Sequence, residues 1–375
     1  MKKNKVIIKL ISLTLSAVCL LSLVSCSNDL FKGVESTEDE LRVVGTVGNY
    51  EVHYDELYYL VMSCNDIMKS SYGKDIWKDE ATAKEYADEL EAMVMERITT
   101  NYAVLLLCEE YGLKEPLKNK DIIEGVNDQI EATLYELAVY GGISVTIEES
   151  LSGEITYKYE KGGKNKAREI FKEALEETYL TERVMRLTLA TELAFNQLTN
   201  LLIESKEIVY DDNGIEEFMF SDKFICTRHI FVSGTSDESL AKAEAALAEL
   251  KAGVPMENLI AGQYNDDVTA PDAGYYFTLG EMEESYETAA FALKLGEISD
   301  IVKTDKGYFI IQRCEKSSSY MLGNISAFAQ QIINAQVNVK LSELHSTLSL
   351  EKSEFGSSLE FYKIAVIEEN KGDKK

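Results

Sequence analysis

Three histidines, His53, His229 and His345, are the only imidazoles in 375 residues, and no nucleophile motif accompanies any of them. A serine or cysteine nucleophile needs a base beside it, which a strand-turn-helix elbow commonly supplies. No such elbow is legible here, so Ser/His/Asp and Cys/His catalysis are poorly supported. The six cysteines make no C-x-x-C pair, and no His-rich spacing points to a metal or another cofactor. Gly162 and Gly163 follow no strand, which makes 161–166 a solvated loop and not a phosphate cradle. Of the three histidines, His229 alone sits inside a strand-like run. His53 falls at the start of a helical pattern and His345 on a later helix, where a surface or groove position explains it.

The elements that must position His229 lie between residues 224 and 316. The run Phe224-Ile225-Cys226-Thr227-Arg228-His229-Ile230-Phe231-Val232 is β-branched and aromatic, the composition of a buried strand. Gln263-Tyr264-Asn265-Asp266-Asp267 follows, then Gly274-Tyr275-Tyr276-Phe277-Thr278-Leu279-Gly280-Glu281-Met282, leading to Tyr286-Glu287-Thr288-Ala289-Ala290-Phe291. A hairpin closes the stretch: Gly296-Glu297-Ile298-Ser299, a short strand, the turn Thr304-Asp305-Lys306-Gly307, then Tyr308-Phe309-Ile310-Ile311-Gln312-Arg313.

In order and spacing these motifs resemble a parvulin, the rotamase domain that isomerises X-Pro bonds. The "RHI-V" opening and the "GEIS-V-T--GY-II" close are specific in combination. The resemblance implies an α+β domain of order β-α-α-α-β-α-β-β over 222–316 and peptidyl-prolyl cis-trans isomerase activity without a cofactor. It assigns His229 to the first histidine of a paired dyad, Asp267 to the acid facing the imide, and Thr304 to a hydroxyl bonded to the dyad. Met282 and Tyr286 match two positions of the proline pocket. Phe309 stands where the family's second histidine sits, so the hydrogen-bonded pair cannot form, one ring nitrogen of His229 loses its partner, and activity should be weak. Ala273-Gly274-Tyr275-Tyr276 replaces a "GDLGW" run and removes a leucine of the pocket wall. Residues 233–239 carry Asp237 and Glu238 but no Arg or Lys, which argues against selecting phosphorylated Ser/Thr before proline. The alternative is a non-enzymatic holdase with a degenerate parvulin domain.

The flanks extend the resemblance to the PrsA and SurA-type foldases. Lys2, Lys3, Lys5 and Lys9 precede an apolar run over 10–24 ending Leu23-Val24-Ser25-Cys26. That is the layout of an export signal over 1–25 with a lipobox, too short for a membrane span. Cys26 would carry the lipid and hold the protein extracytoplasmically on the cell membrane, with polar 26–40 as a tether. A hairpin around Gly48-Asn49 opens a mainly helical chaperone domain over 41–221, in which helices are expected near 83–111, 119–139 and 181–204. His53 takes the capping place of the first helix, with Glu56 three residues on. After a Ser317-Ser318-Ser319 linker, 317–375 is expected to pack back on the amino-terminal domain through an amphipathic helix over 324–348, followed by a strand-like run over 361–367. Cys64 and Cys108 lie on apolar helical faces; Cys226 and Cys314 fall on strands that are neighbours in parvulins, where a disulfide is an option.

Formal charge is −27, and the signal region contributes four lysines and no acid, so its removal makes the remainder more negative still. Such a field repels nucleic acid and acidic phospholipid. The implied partners are unfolded or partly folded exported polypeptides with X-Pro bonds, the membrane through the lipid, and no nucleic acid; a homodimer stays open.

Overall fold

The computed structural model describes residues 30–73, 75–78, 80–150 and 155–372. Cys26 and the signal region lie outside the described residues. No helix among the described residues is long and apolar enough to cross a membrane. The chain divides into two compact units: residues up to Leu201 together with those from Glu343 onward, and Leu202–Ser342.

The first unit opens with strands β1 (Val43–Val47) and β2 (Tyr50–His53), joined through Gly48-Asn49 and paired antiparallel. Helices α1 (Tyr54–Tyr72), α2 (Glu80–Glu110) and α3 (Lys120–Tyr140) follow. Then come the hairpin β3 (Val145–Glu149) and β4 (Ile155–Tyr159), α4 (Gly163–Glu177) and α5 (Glu182–Glu204). Apolar residues at i, i+3 and i+4 bury one face of each long helix, with Leu57, Val61, Leu90, Val94, Ile98, Val126, Ile130, Leu134 and Leu198 in the core. The β3/β4 hairpin falls in a region read as almost wholly helical; five-residue strands give too short a run to compete with the surrounding helical period. Of the expected loop at 161–166 only 161–162 form a turn, with Gly162 at φ 76°, and 163–166 open α4; β4, ending at Tyr159, precedes them where no strand was expected.

Residues near the carboxy terminus complete this unit. Strand β9 (Glu351–Lys352) adds to β1 through Gly45↔Lys352 and Thr46↔Glu351, giving the order β2-β1-β9. Two short backbone approaches make this possible: a Cβ on Gly356 would lie 1.9 Å from the Val44 carbonyl oxygen, and one on Gly45 2.5 Å from that of Glu351. The run expected to be strand-like at 361–367 is helical, within α13 (Phe361–Gly372), which follows the short helix α12 (Glu354–Ser357). Its buried residues Phe361, Ile364 and Ala365 have i, i+3, i+4 spacing, which outweighs their β-branched neighbours.

The second unit holds α6 (Asp212–Phe220), β5 (Ile225–Ser233), α7 (Asp237–Lys251), α8 (Met256–Ile260), β6 (Tyr275–Phe277), α9 (Glu284–Ala292), β7 (Val302–Lys303) and β8 (Gly307–Cys314). It is α+β, with an antiparallel sheet in the order β6-β5-β8-β7. Two helices, not three, separate the first pair of strands, because 261–264 forms only turns before Asn265. Period-two alternation sends opposite residues of β5 to opposite faces. Ile230 and Val232 meet α7 and α8 through Ala243, Ala246, Leu250, Met256 and Leu259, together with Tyr308 and Ile310 of β8. Ile225 and Ile311 meet Tyr286 and Ala290 of α9 on the other face.

The polar step after the sheet is a short helix, α10 (Ser318–Gly323), with Ser317 accepting from the Tyr320 N–H as its cap, where a linker was expected. Next comes α11 (Ile325–His345). Its Phe328 and Ile332 bury against Phe224, Cys226, Tyr276 and Met321 of the second unit, with Ile215 and Met219 of α6. This corrects the expectation that the apolar face of this helix packs on the amino-terminal domain: the sheet end carrying Phe224 and Tyr276 is itself unfilled without it. Only its last residues belong to the first unit, where His345 Nε2 lies 2.7 Å from Thr99 Oγ1. Lys316 ties α6 to the sheet, its Nζ donating to the carbonyls of Met219 (2.9 Å), Ser221 (2.6 Å) and Phe224 (2.9 Å). A cation on carbonyls that end a helix satisfies both hydrogen bonding and the helix dipole.

Candidate functional site

His229 lies on the α9 face of β5 and is 6% exposed. Its Nδ1 is 2.9 Å from Tyr286 Oη and its Nε2 3.3 Å from Asp267 Oδ2. The Tyr275 ring stacks on the imidazole at 4.5 Å, and Phe309 meets it edge-on at 5.0 Å. Tyr275 also donates its hydroxyl to Asp267 Oδ2. At the far end of this hydrogen-bonded relay Thr227 Oγ1 lies 2.9 Å from Tyr286 Oη.

The protonation pattern follows from who can donate. An ionised Asp267 accepts only, so Nε2 carries the imidazole proton and Nδ1 is an acceptor. Tyr286 then donates to Nδ1, and Thr227 donates to the Tyr286 oxygen. Burial lowers the His229 pKa against the pull of Asp267, keeping the ring neutral. Burial works to raise Asp267, but hydrogen bonds from Tyr275 and Thr269 outweigh it and hold the carboxyl below its usual range. Asp267 is thus a fixed anion, and Tyr286 and Tyr275 are phenols whose ionisation burial pushes up.

The loop bearing Asp267 is pinned to β5 like an extra strand. Asn265 Oδ1 accepts the Phe231 N–H at 2.9 Å, the Asp266 N–H donates to the Phe231 carbonyl at 2.7 Å, and Ser233 N–H donates to Asp266 Oδ2 at 2.9 Å. Asp267 Oδ1 turns back to Thr269, accepting its N–H at 2.9 Å and its hydroxyl at 2.8 Å. The apolar wall comes from Met282, Tyr286 and Phe309, which pack together with Phe277 and Ile311. Met282 is held by Glu287, whose Oε1 accepts the N–H groups of Glu281 and Met282 at 2.8 Å each and whose Oε2 accepts that of Gly280 at 3.1 Å.

His229, Asp267, Met282, Tyr286 and Phe309 are therefore brought together. Thr304 is not: its hydroxyl serves the β7/β8 turn, donating to the Gly307 carbonyl at 3.3 Å and accepting the Lys306 N–H at 3.2 Å. Thr227 supplies the hydroxyl end of the network instead. The expectation that Phe309 strips His229 of a partner is also corrected, because Tyr286 Oη occupies that nitrogen. Tyr275, Thr227, Asn265 and Glu287 were missed. Thr227 and Tyr275 carry a sequence signal that could have found them: two residues before His229 lies the same sheet face, and Tyr275 opens the strand beside it. His53 occupies the capping position of α1 without a side-chain cap, and Glu56 is turned into the core to accept from Tyr102 at 2.8 Å. Cys226 and Cys314 are free thiols, as are the buried Cys64 and Cys108.

Residues 220–317 match the family model for a PPIC-type PPIase domain. The foldase PrsA of Bacillus subtilis is 42% identical over 81 residues, 21% of this chain and 27% of that protein. PrsA 1 of Listeria innocua is 26% identical over 201 residues, 53% of this chain and 66% of that one. The peptidyl-prolyl isomerase Pin1 of Malus domestica is 36% identical over 81 residues, 21% of this chain and 67% of its own length. A crystal structure of PrsA from Bacillus anthracis aligns over 66% of this chain and 92% of its own with 18% identity and a TM-score of 0.32. The chain spans between 27% and 66% of the length of these two foldase relatives. By the domain match and the isomerase relative, the chain belongs to the parvulin-type peptidyl-prolyl isomerases, and beyond that domain it is similar to the PrsA foldases.

Proposed function

We propose that this protein is an extracytoplasmic foldase, lipid-anchored through Cys26, whose second unit isomerises X-Pro bonds of exported polypeptides while the first unit holds them as a chaperone domain. The observation that carries the reading is Asp267, kept ionised at the edge of an apolar wall by His229, Tyr275 and Thr269. Rotation about an X-Pro bond crosses a barrier of roughly 18–20 kcal/mol, and no covalent bond need break. The planar imide is strongly dipolar, with negative charge on its oxygen; the twisted form is less so. An apolar grip by Met282, Tyr286 and Phe309 removes the water that favours the planar form. Asp267, facing the carbonyl oxygen, destabilises that form further. His229 acts as a positioning residue that fixes the carboxylate, and Thr227 and Tyr286 fix His229. Neither a cofactor nor a metal enters this scheme.

A holdase without isomerase activity is the second reading, and the engagement of both Asp267 oxygens, Oδ1 by Thr269 and Oδ2 by His229 and Tyr275, favours it. Refolding separates the two. The foldase reading expects faster refolding of a proline-limited client, lost in Asp267→Ala, with assistance to a client lacking critical prolines retained. Assistance to both clients that Asp267→Ala leaves unchanged would make the domain a scaffold. For the anchor, Cys26→Ala should move the protein to the soluble fraction, and unchanged membrane association would refute it.

A further inference from the structure

Cys226 and Cys314 are direct cross-strand partners of β5 and β8. Phe231 and Ser233 turn their N–H groups away from β8, to Asn265 and Asp266. The alternate residues of β5, Cys226 among them, therefore bond to β8. In such hydrogen-bonded antiparallel pairs the α-carbons lie about 5.5 Å apart, within the α-carbon span of a disulfide, while the β-carbons stand wider than its usual separation, so closing the bond draws the two strands together and leaves it readily reduced. Opposed residues also project to the same face of the sheet. Both thiols are free.

Their surroundings differ in the way an attacking and a resolving thiol differ. Cys226 is 1% exposed, with its Sγ 3.6 Å from the Ala273 carbonyl and Gly274 closing over it; a Cβ at Gly274 would lie 2.9 Å from that sulfur. Cys314 is half-buried and lines an open hollow of about 640 Å³ with Lys294, Arg313, Asp222 and Glu315. The adjoining Cys226 thiol draws the Cys314 thiol down, and the Arg228 charge acts in the same direction. The adjoining Cys314 thiol and burial push Cys226 up. The accessible thiol is thus the more readily ionised one.

We infer that Cys226 and Cys314 form a reversible dithiol-disulfide site, with Cys314 as the entry thiol and a low-molecular-weight disulfide as oxidant. The Cys314 thiolate attacks one sulfur of the oxidant, breaking its S–S bond and releasing one thiolate. Cys226 then gives up its proton to that thiolate and attacks Cys314 Sγ, forming the internal disulfide and releasing the second thiolate. Two protein thiols are oxidised and one small disulfide is reduced to two thiols. The closed form ties β5 to β8 one residue from Thr227, which holds Tyr286 in the His229 network. The inference stands on strand register and access, and does not depend on isomerase activity.

The full chain, reduced and then freed of reductant, is exposed to oxidised glutathione, its remaining thiols are alkylated, and it is digested without reduction. The expected product is a peptide pair linking positions 226 and 314 with no retained glutathione, reversed by dithiothreitol, while Cys64 and Cys108 stay unmodified. Cys226→Ser should retain glutathione on Cys314, and Cys314→Ser should retain none on Cys226. Wild-type protein that keeps glutathione on Cys314, or whose two thiols both remain free under conditions that oxidise the unfolded chain, would overturn the proposal. The wild-type map decides even if a serine variant folds poorly.

Discussion

Installing the histidine that parvulins carry at the Phe309 position should not help this protein unless Tyr286 is changed with it. Both nitrogens of His229 are already engaged, Nδ1 by Tyr286 at 2.9 Å and Nε2 by Asp267 at 3.3 Å. An imidazole at 309 would meet a ring with no nitrogen to spare, and its own polar edge would lie between Phe231, stacked at 4.6 Å, and Tyr286 at 5.1 Å. Phe309→His alone should therefore leave the isomerase rate level or lower it. Tyr286→Phe removes one hydroxyl but strands two groups, His229 Nδ1 and the fully buried Thr227 hydroxyl. At about 1–3 kcal/mol per unsatisfied buried group, the sheet should lose at least that much stability. A matching loss of rate, roughly 5- to 150-fold, follows if the whole effect reaches the transition state. In the double variant the new imidazole can take the vacated nitrogen, so the two changes should couple favourably by about 1 kcal/mol in a double-mutant cycle. The assay is isomerisation of an X-Pro peptide, with hydrogen exchange of β5 and β8 as the stability readout, because the single tryptophan, Trp77, lies in the first unit. A rate above wild type in Phe309→His alone, or additive losses in the double variant, would refute the network.

Three further outcomes follow from particular residues. Lys316→Met removes the donor to three carbonyls between the end of α6 and the start of β5 and should destabilise the second unit by about 1–3 kcal/mol, read by hydrogen exchange of β5; unaltered protection would contradict it. Gly356→Ala places a methyl against the Val44 carbonyl and should cost the first unit about 1–3 kcal/mol, lowering the denaturation midpoint reported by Trp77. Glu56 is 1% exposed, and burial pushes its pKa up from 4.5 to about 7. The folded state therefore binds the extra proton between those values, and the stability this group contributes is full below about pH 4.5 and lost as pH rises through 7. Glu56→Gln should flatten that part of the first unit's stability profile, and an identical slope in wild type and variant would exclude it.

The parts of this molecule legible in its sequence are those where period and composition agree. The β5 run, the closing hairpin and the long helices carry uninterrupted apolar patterns, and it was the resemblance to parvulins, not spacing alone, that singled out His229, Asp267, Met282 and Tyr286, which the fold brings together. What stayed hidden depends on direction, which spacing does not give. Tyr286 reads as an aromatic pocket residue, but its hydroxyl points to His229 and Thr227. Thr304 reads as a hydroxyl for the site, but the two-residue strand β7 leaves it in a turn. The face of α11 was visible and its partner was not: Phe328 and Ile332 fit any apolar surface, and the one they cover lies in the second unit.

The central claim is that Asp267, held by His229 and Tyr275, accelerates rotation about an X-Pro bond. Exchange spectroscopy on a proline tetrapeptide at pH 7, comparing the intact protein with Asp267→Asn, tests it most directly. Faster cis-trans exchange with the wild type than with peptide alone, falling toward the uncatalysed rate in Asp267→Asn, is the predicted result. Exchange at the uncatalysed rate with the wild type, or acceleration that Asp267→Asn leaves intact, would contradict it.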